Sequence, residues 1–176
     1  MQADEMEAIM RSARKRPLFV PAADHRVELG RPDIEKLIQH RDPFLFVDQI
    51  TAFDPVDLKI EGRRRVDPAD PVFRGHFPGN PIYPGVLQVE TMGQLGLCIF
   101  GLAHAARGTS SDQPQAILGL KIHHAAFLAP VRAGDELVSL ATVLDWNEYT
   151  GLCAGQLYCN DIVCCTAIME VYFVDA

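Results

Sequence analysis

GVLQVETMGQLGLCIFGLAHAA, residues 85–106, is predicted to form one long helix near the middle of this 176-residue chain. Pro84 comes directly before it, at a position where the first turn of a helix tolerates proline. Apolar residues fall on nearly every side of this helix, so it must be buried in a core or wrapped by a sheet. Three glycines cost helix stability, at about 1 kcal/mol each relative to alanine. They indicate close approach by a sheet or a partner at Gly93, Gly96 and Gly101.

The segments on either side of the helix predict an antiparallel sheet. Before the helix we expect short helices over residues 3–15 and 34–40, an irregular arm over 17–31, and strands over 44–53 and 58–66. After it, a polar loop at 108–114 leads to strands near 115–128, 135–147, 150–160 and 162–174. Alternation of Val138, Leu140 and Thr142 with smaller or polar neighbours is typical of a half-buried antiparallel strand.

This order of elements predicts an α+β fold, with an antiparallel sheet folded around the long central helix. The length favours one domain. We place that domain at residues 31–176 and treat residues 1–30 as an N-terminal arm or extension.

The charge is unevenly distributed along the chain. The formal net charge is −7, and every Lys and Arg lies at or before Arg132, whereas acidic residues continue to Asp175. Nucleic-acid binding needs clustered positive charge that displaces counterions from phosphates. The composition therefore argues against a nucleic-acid partner.

The termini and cysteines limit the remaining classes of protein. No uninterrupted apolar run approaches the roughly 20 residues that span a membrane, so we expect no membrane span. The first residues fit neither a secretory signal nor a transit peptide. An odd cysteine count without a CxxC motif disfavours a disulfide framework or a zinc site. Buried free thiols in the cytoplasm are the expected state of Cys98, Cys153, Cys159, Cys164 and Cys165.

Three residues at the start of the central helix have the chemistry of an acid–base site. His76 lies in a loop stiffened by prolines and glycines, and histidine exchanges protons near neutral pH. Glu90 lies in an otherwise apolar helix, where burial would raise the pKa of a carboxyl group and allow it to donate a proton. Gly85 begins the helix, where free N–H groups favour developing negative charge.

His76 and Glu90 each also have a structural interpretation. A loop histidine often serves only to hold the loop, and a glutamate in an apolar helix can be a hydrogen-bonded core group. Their occurrence within fifteen residues favours the functional interpretation.

Three ordered motifs resemble one known family. They read GHFPGNPIYPGVLQVETMGQ at residues 75–94, LIQHRDPFLFVD at 37–48 and AFLAPVRAGD at 126–135. They are similar to motifs of the hotdog-fold (R)-3-hydroxyacyl-acyl carrier protein dehydratases, the FabZ and FabA group. Glutamate at position 90 is closer to FabZ, since the related dehydratase-isomerases usually have aspartate there. The resemblance covers about residues 33–174 and leaves the first 30 uncovered.

The resemblance implies a double hotdog dimer, or a trimer of dimers, with each active site between two subunits. His76 of one subunit would remove the C2 proton of a 3-hydroxyacyl thioester, and Glu90 of the other would protonate the departing hydroxyl. The Gly85 N–H would stabilise charge on the thioester oxygen, and no metal or organic cofactor is implied. The implied contacts to substrate are Phe77, Pro78, Tyr83, Pro84, Val86 and Gln94.

The family's acidic acyl carrier protein is the implied partner, with a coenzyme A thioester as another carrier of the chain. Asn80, Ala126 and Ala129 stand where basic residues often help to bind that carrier. Other basic residues are then expected to replace them, and the candidates are Arg63, Arg64, Arg74, Lys121 and Arg132. A solvated strand face is the alternative explanation for residues 63–65.

Two other functions remain open at the level of sequence. One is a different thioester enzyme of the same fold, either a thioesterase or a dehydratase-isomerase. The second is a non-catalytic subunit that binds acyl thioesters. Retention of both His76 and Glu90 in this motif argues against each of them.

Overall fold

A computed structural model describes residues 1–109 and 116–174. The helices are α1 (Ala3–Ala13), α2 (Arg31–Leu37) and α3 (Gly85–Arg107), with short 3-10 turns at Ala23–His25 and Pro71–Arg74. The strands are β1 (Arg26–Gly30), β2 (Gln49–Asp54), β3 (Lys59–Arg65), β4 (Ala116–Phe127), β5 (Glu136–Trp146), β6 (Thr150–Cys159) and β7 (Ile162–Val174). They form one antiparallel sheet in the order β1-β2-β3-β5-β6-β7-β4.

The predicted α+β class is confirmed, and two details differ. The arm predicted at 17–31 contains β1, an edge strand whose mostly exposed side chains give no apolar alternation. The strand predicted from residue 44 begins only at Gln49, because residues 44–46 are held as a loop against α3. The loop predicted at 108–114 lies largely outside the described residues.

Close packing between sheet and helix depends on glycines of the sheet as well as those of α3. A Cβ added at Gly155 would lie 2.8 Å from Met92, and one at Gly151 would lie 2.5 Å from the Phe100 ring. At Gly96 an added Cβ would make only ordinary contact, 3.6 Å from Cys153. The sheet therefore approaches α3 most closely where its own strands lack side chains.

One stripe of α3 is not covered by the protein's own sheet. Val86, Glu90, Gly93 and Leu97 are exposed or partly exposed, while most residues between them are buried. Their spacing of three or four residues places them on one helical face. This face carries Glu90 and is at least partly exposed to solvent.

Helix α3 is apolar enough overall to resemble a membrane-spanning helix, although it has no long uninterrupted apolar run. By length and composition, Gly85–Ala106 would be able to cross a membrane, with mean hydropathy 1.4. In the folded chain, 67% of its most apolar window is buried inside the protein. The wrapped sheet supplies the apolar surroundings, as expected for a core helix.

The N-terminal segment packs on the outer face of the sheet. Met10 of α1 packs against Ala154 and Ile168, and Phe19 packs against the neighbouring strands. The buried Gln156 side chain accepts a hydrogen bond from the Leu18 N–H at 2.8 Å. Its amide nitrogen donates to the carbonyl oxygens of Ala13 and Arg16. The segment is therefore held by apolar contacts and by a buried amide.

We expect Phe19→Ala to lower the free energy of unfolding by about 3 kcal/mol, the range found for removing a buried aromatic side chain. Phe19 is 5% exposed, whereas the adjacent Val20 is 75% exposed and provides the control Val20→Ala. Urea unfolding measures both. Equal small effects would mean that the segment contributes little to stability.

Candidate active site

The His76 ring is held in a defined orientation at the entrance to α3. Its Nδ1 lies 2.8 Å from the carbonyl oxygen of Ile82. A carbonyl only accepts hydrogen bonds, so Nδ1 carries the proton and Nε2 of the neutral ring keeps its lone pair. The Phe77 ring stacks on the imidazole, with centroids 4.0 Å apart. Nε2 is thereby prepared to accept a proton.

Backbone hydrogen bonds fix the loop that carries His76. The His76 N–H donates to the Val72 carbonyl at 3.0 Å, and the Ile82 N–H donates to the His76 carbonyl at 3.0 Å. Tyr83, one residue further, is fully buried and its N–H donates to the Val131 carbonyl at 2.8 Å. Burial raises the pKa of the Tyr83 hydroxyl. The loop is thus anchored in the core immediately before α3 begins.

Gly85 forms the first residue of α3 beneath an aromatic ring. A Cβ at this position would lie 2.7 Å from the Phe127 ring, so a larger residue would displace either the ring or the helix. The Leu87 and Gln88 N–H groups donate to the Pro84 carbonyl. The earlier N–H groups of a helix have no acceptor within it and point outward. They provide donors for a developing oxyanion.

Glu90 is part of a hydrogen-bonded group that includes a residue from another element. Its Oε1 accepts from Gln94 Nε2 at 2.9 Å and lies 3.4 Å from His40 Nε2. The hydrogen bond from His40, together with that from Gln94, holds the pKa of Glu90 below its ordinary value despite partial burial. The expectation of a raised pKa is therefore wrong for the single chain, because hydrogen bonding outweighs desolvation.

Gln94 links Glu90 to the loop at residues 44–46 through hydrogen bonds. Its Oε1 accepts from the Phe46 N–H at 2.7 Å, and its Nε2 donates to the Phe44 carbonyl at 2.9 Å. Gln94 is almost completely buried, and its hydrogen bonds hold the 44–46 loop and Glu90 together. Its position favours a supporting role over the direct substrate contact expected from sequence.

Glu90 opens into a groove of about 440 Å³ between α3 and the β4–β7 edge of the sheet. The apolar part of the groove includes Val89, Leu97, Leu120 and Ile122, and the polar part includes His40, Lys121 and Glu170. One wall is apolar enough for a hydrocarbon chain, and the carboxylate lies at its side.

His76 and Glu90 are positioned separately within one protomer. Across residues 1–109 and 116–174, no hydrogen bond or ion pair joins these two side chains. The partners of His76 lie in its own loop, and those of Glu90 lie on α3 and after α2. Within the described part of one protomer, the two side chains are therefore not joined to each other by a direct polar contact.

The remaining expected substrate contacts divide by exposure. Phe77, Pro78 and Val86 are exposed near the helix entrance, whereas Tyr83 and Pro84 are buried. The exposed residues are accessible to a ligand in this structure. The buried residues support the loop from inside.

Arg64 does not fit the carrier-binding role expected for it. It is 6% exposed, its guanidinium lies over the Phe46 ring at 4.3 Å, and its Nη1 donates to the Leu45 carbonyl at 3.2 Å. Strand alternation turns it inward, away from solvent. The other four candidates are exposed: Arg63, Arg74, Lys121 and Arg132.

The five cysteines are free and buried. Burial raises the pKa of Cys98, Cys153, Cys159 and Cys165 to about 12. Such thiols remain protonated and are poor nucleophiles. In the described part of the chain, no group of three or more His, Cys, Asp or Glu residues is arranged to hold a metal ion.

Comparison with known proteins gives one consistent family. The model of the FabA-like domain matches residues 38–167. The 3-hydroxyacyl-[acyl-carrier-protein] dehydratase FabZ of Campylobacter concisus is 32% identical over 143 residues, covering 81% of this chain and 96% of that protein. FabZ of Sulfurimonas denitrificans is 34% identical over 146 residues, with 81% and 95% covered.

Solved structures show the same fold at lower sequence identity. The dehydratase heterocomplex ApeI:P of Xenorhabdus doucetiae superimposes with a TM-score of 0.68 at 17% identity, covering 81% of this chain and 91% of that one. Thioesterase HI1161 of Haemophilus influenzae gives 0.56 at 18% identity, covering 86% and 94%. The sheet wrapped around α3 is thus the hotdog fold, and by its sequence the chain belongs to the FabA-like family of 3-hydroxyacyl-[acyl-carrier-protein] dehydratases.

Proposed function

We propose that this chain dehydrates (R)-3-hydroxyacyl thioesters on acyl carrier protein to trans-2-enoyl thioesters in fatty acid biosynthesis or a related pathway. The observation that carries the proposal is the His76 ring, whose Nδ1 proton is bonded to the Ile82 carbonyl. This leaves Nε2 as a base in an accessible loop. The family relationship supplies the matching substrate class.

The proposed reaction needs only side chains and backbone groups. His76 Nε2 takes the proton from C2, which the thioester carbonyl acidifies, and the C2–H electron pair forms the C2=C3 double bond. The C3–O bond breaks, and the departing hydroxyl receives a proton from Glu90, directly or through water. The Gly85 N–H at the start of α3 stabilises negative charge on the thioester oxygen. The products are the enoyl thioester and water.

We propose a homodimer in which His76 of one subunit serves the same site as Glu90 of the other. Strand β4 is an edge strand and exposes Leu118, Leu120, Ile122 and Phe127, each between 55% and 60%. Exposed apolar edge strands favour pairing with another strand. The uncovered stripe of α3 lies beside this edge, so a second copy would cover both. A trimer of such dimers is the alternative assembly.

A thioesterase has less support than a dehydratase. The thioesterase neighbours share under 25% identity and therefore support the fold alone. A non-catalytic binding subunit would not require the oriented His76 ring. We place the enzyme in the cytoplasm, where free cysteines remain reduced.

Four exposed basic residues are proposed to bind the acidic carrier: Arg63, Arg74, Lys121 and Arg132. Two of them lie beside the His76 loop. Arg74 precedes His76 by two residues, and Arg132 Nη1 donates to Asn80 Oδ1 at 3.2 Å. They would receive the carrier close to where its thioester must enter.

We expect Arg74→Glu with Arg132→Glu to raise KM for a carrier-linked substrate about tenfold, because charge reversal weakens electrostatic association. KM for a small thioester should stay unchanged. The control Arg14→Glu with Lys15→Glu reverses equal charge at exposed positions of the N-terminal segment. Equal effects on both substrates, or an equal effect of the control pair, would exclude specific carrier binding at this surface.

The overall activity is tested by hydration of crotonyl thioesters, followed as loss of enoyl absorbance. Carrier-linked, coenzyme A-linked and N-acetylcysteamine thioesters should be compared with purified protein. Turnover supports the proposal, and the ratio of rates measures the preference for a carrier. No turnover with any of the three thioesters would contradict the proposed function.

A further inference from the structure

His40 is held firmly against the carboxylate of Glu90 by residues near the end of α2. The Arg41 guanidinium donates three hydrogen bonds to carbonyl oxygens, to Ile38 at 2.8 Å, His40 at 2.7 Å and Glu35 at 2.8 Å. The His40 ring also stacks on Phe44, with centroids 6.3 Å apart. The backbone and the ring of His40 are therefore both restrained, which fixes the 3.4 Å distance between His40 Nε2 and Glu90 Oε1.

The other ring nitrogen of His40 has no competing partner. Among the described residues, His40 Nδ1 is buried and makes no hydrogen bond. In the part of the chain that the structure describes, the carboxylate of Glu90 is the only one in ion-pair contact with the His40 ring. A ring with this single charged neighbour would hold a proton on Nε2, toward Glu90.

Other charged groups face this pair from several elements. Lys121 on β4 and Glu170 on β7 line the same groove, and Glu170 is paired with His123 at 2.7 Å. On the far side of His40, a hollow of about 230 Å³ is also lined by charged or titratable groups, namely Glu35, Lys36, Arg41 and His104. Within the described residues, Glu90 has no ion-pair contact with any of these groups.

We propose that His40 is a positioning residue that holds the Glu90 carboxylate in one orientation, toward the groove in which the substrate would lie. This inference rests on the proposed dehydration. Glu90 passes its proton to the departing hydroxyl, which leaves as water, while His40 keeps the carboxylate in place. His76 retains the C2 proton until solvent removes it, and solvent returns one proton to Glu90. Protons and electrons therefore balance over a turnover.

The same contact governs the acidity of Glu90. The hydrogen bond from His40 is the largest cause that holds the pKa of Glu90 below its ordinary value. Removing the ring would therefore release the carboxylate from its position and raise the pKa of Glu90.

The test is the pH dependence of kcat for His40→Ala with a small crotonyl or 3-hydroxybutyryl thioester. We expect kcat to fall about tenfold to a hundredfold at neutral pH, the size of losses from misplacing a catalytic group. The limb of the profile that reports Glu90 should move to higher pH, because the largest cause that lowers the pKa of Glu90 is then absent. His104→Ala is the matched control, since His104 lines the adjacent hollow and has no ion pair with Glu90.

A double-substitution cycle separates this role from a structural one. In a Glu90→Gln background, His40→Ala should cause little further loss, because both changes disable one unit. If His40→Ala does not fold, as judged by circular dichroism, His40→Gln replaces it in the same measurements. An equal loss at every pH, or additive losses in the cycle, would overturn the proposal. Absence of activity in the unsubstituted protein would instead contradict the proposed function.

Discussion

His76→Ala should reduce turnover of a crotonyl thioester by about a thousandfold or more, in line with the contribution of a general base. Alanine removes the imidazole that the Ile82 carbonyl orients, with its proton-accepting Nε2, while the loop keeps its backbone hydrogen bonds. The protein should therefore fold and assemble as before. Loss of enoyl absorbance measures the rate, and native mass measurement reports the assembly.

A second histidine distinguishes loss of the base from a general effect of removing imidazole. His25 belongs to the N-terminal segment and stacks on Phe19. Its Nε2 lies 3.6 Å from Oδ2 of Asp54 in β2. His25→Ala should leave turnover near that of the unsubstituted protein. A near-normal rate in His76→Ala would show that another group removes the C2 proton.

Glu90→Gln should reduce turnover by at least about a hundredfold, because glutamine has no proton-donating acid. The substitution keeps the shape of the side chain, and its amide oxygen is able to accept from Gln94 as the carboxylate does. Stability should change little. The measurement is again enoyl hydration, with thermal unfolding as the check on folding.

The two inactive variants together test whether the site is shared between subunits. A heterodimer of His76→Ala and Glu90→Gln, isolated by co-expression with two different tags, would contain one intact site if the residues act across the interface. It should recover roughly half the activity of the unsubstituted dimer, because one of two symmetric sites is restored. Failure to recover activity would contradict the cross-subunit arrangement.

Much of the candidate site could be predicted because it lies in one continuous segment. His76, Gly85 and Glu90 occur within fifteen residues, and their residue types indicate a base, an oxyanion donor and an acid. The long apolar helix and the strand alternation likewise predict a sheet folded around α3, which the structure confirms. Local pattern is sufficient here because helical and strand periodicities are properties of neighbouring residues.

Contacts between distant residues could not be predicted in this way. Glu90 meets His40 from fifty residues earlier, and that contact reverses the expected direction of its pKa. Gln156 meets the Leu18 N–H from 138 residues away, and the periodicity of the first 30 residues carries no sign of it. Arg64 was expected at the surface, but Phe46 and the Leu45 carbonyl bind it inside.

The amino-acid sequence alone determined the hotdog class, the positions of His76 and Glu90 and the family to which they point. The tertiary structure decided which charges are buried, which face of α3 is open and which histidine adjoins the carboxylate. The physical reason is that a pKa depends on the groups brought within a few ångströms by folding. A side chain's identity states what chemistry it has, and its neighbours determine in which protonation state it acts.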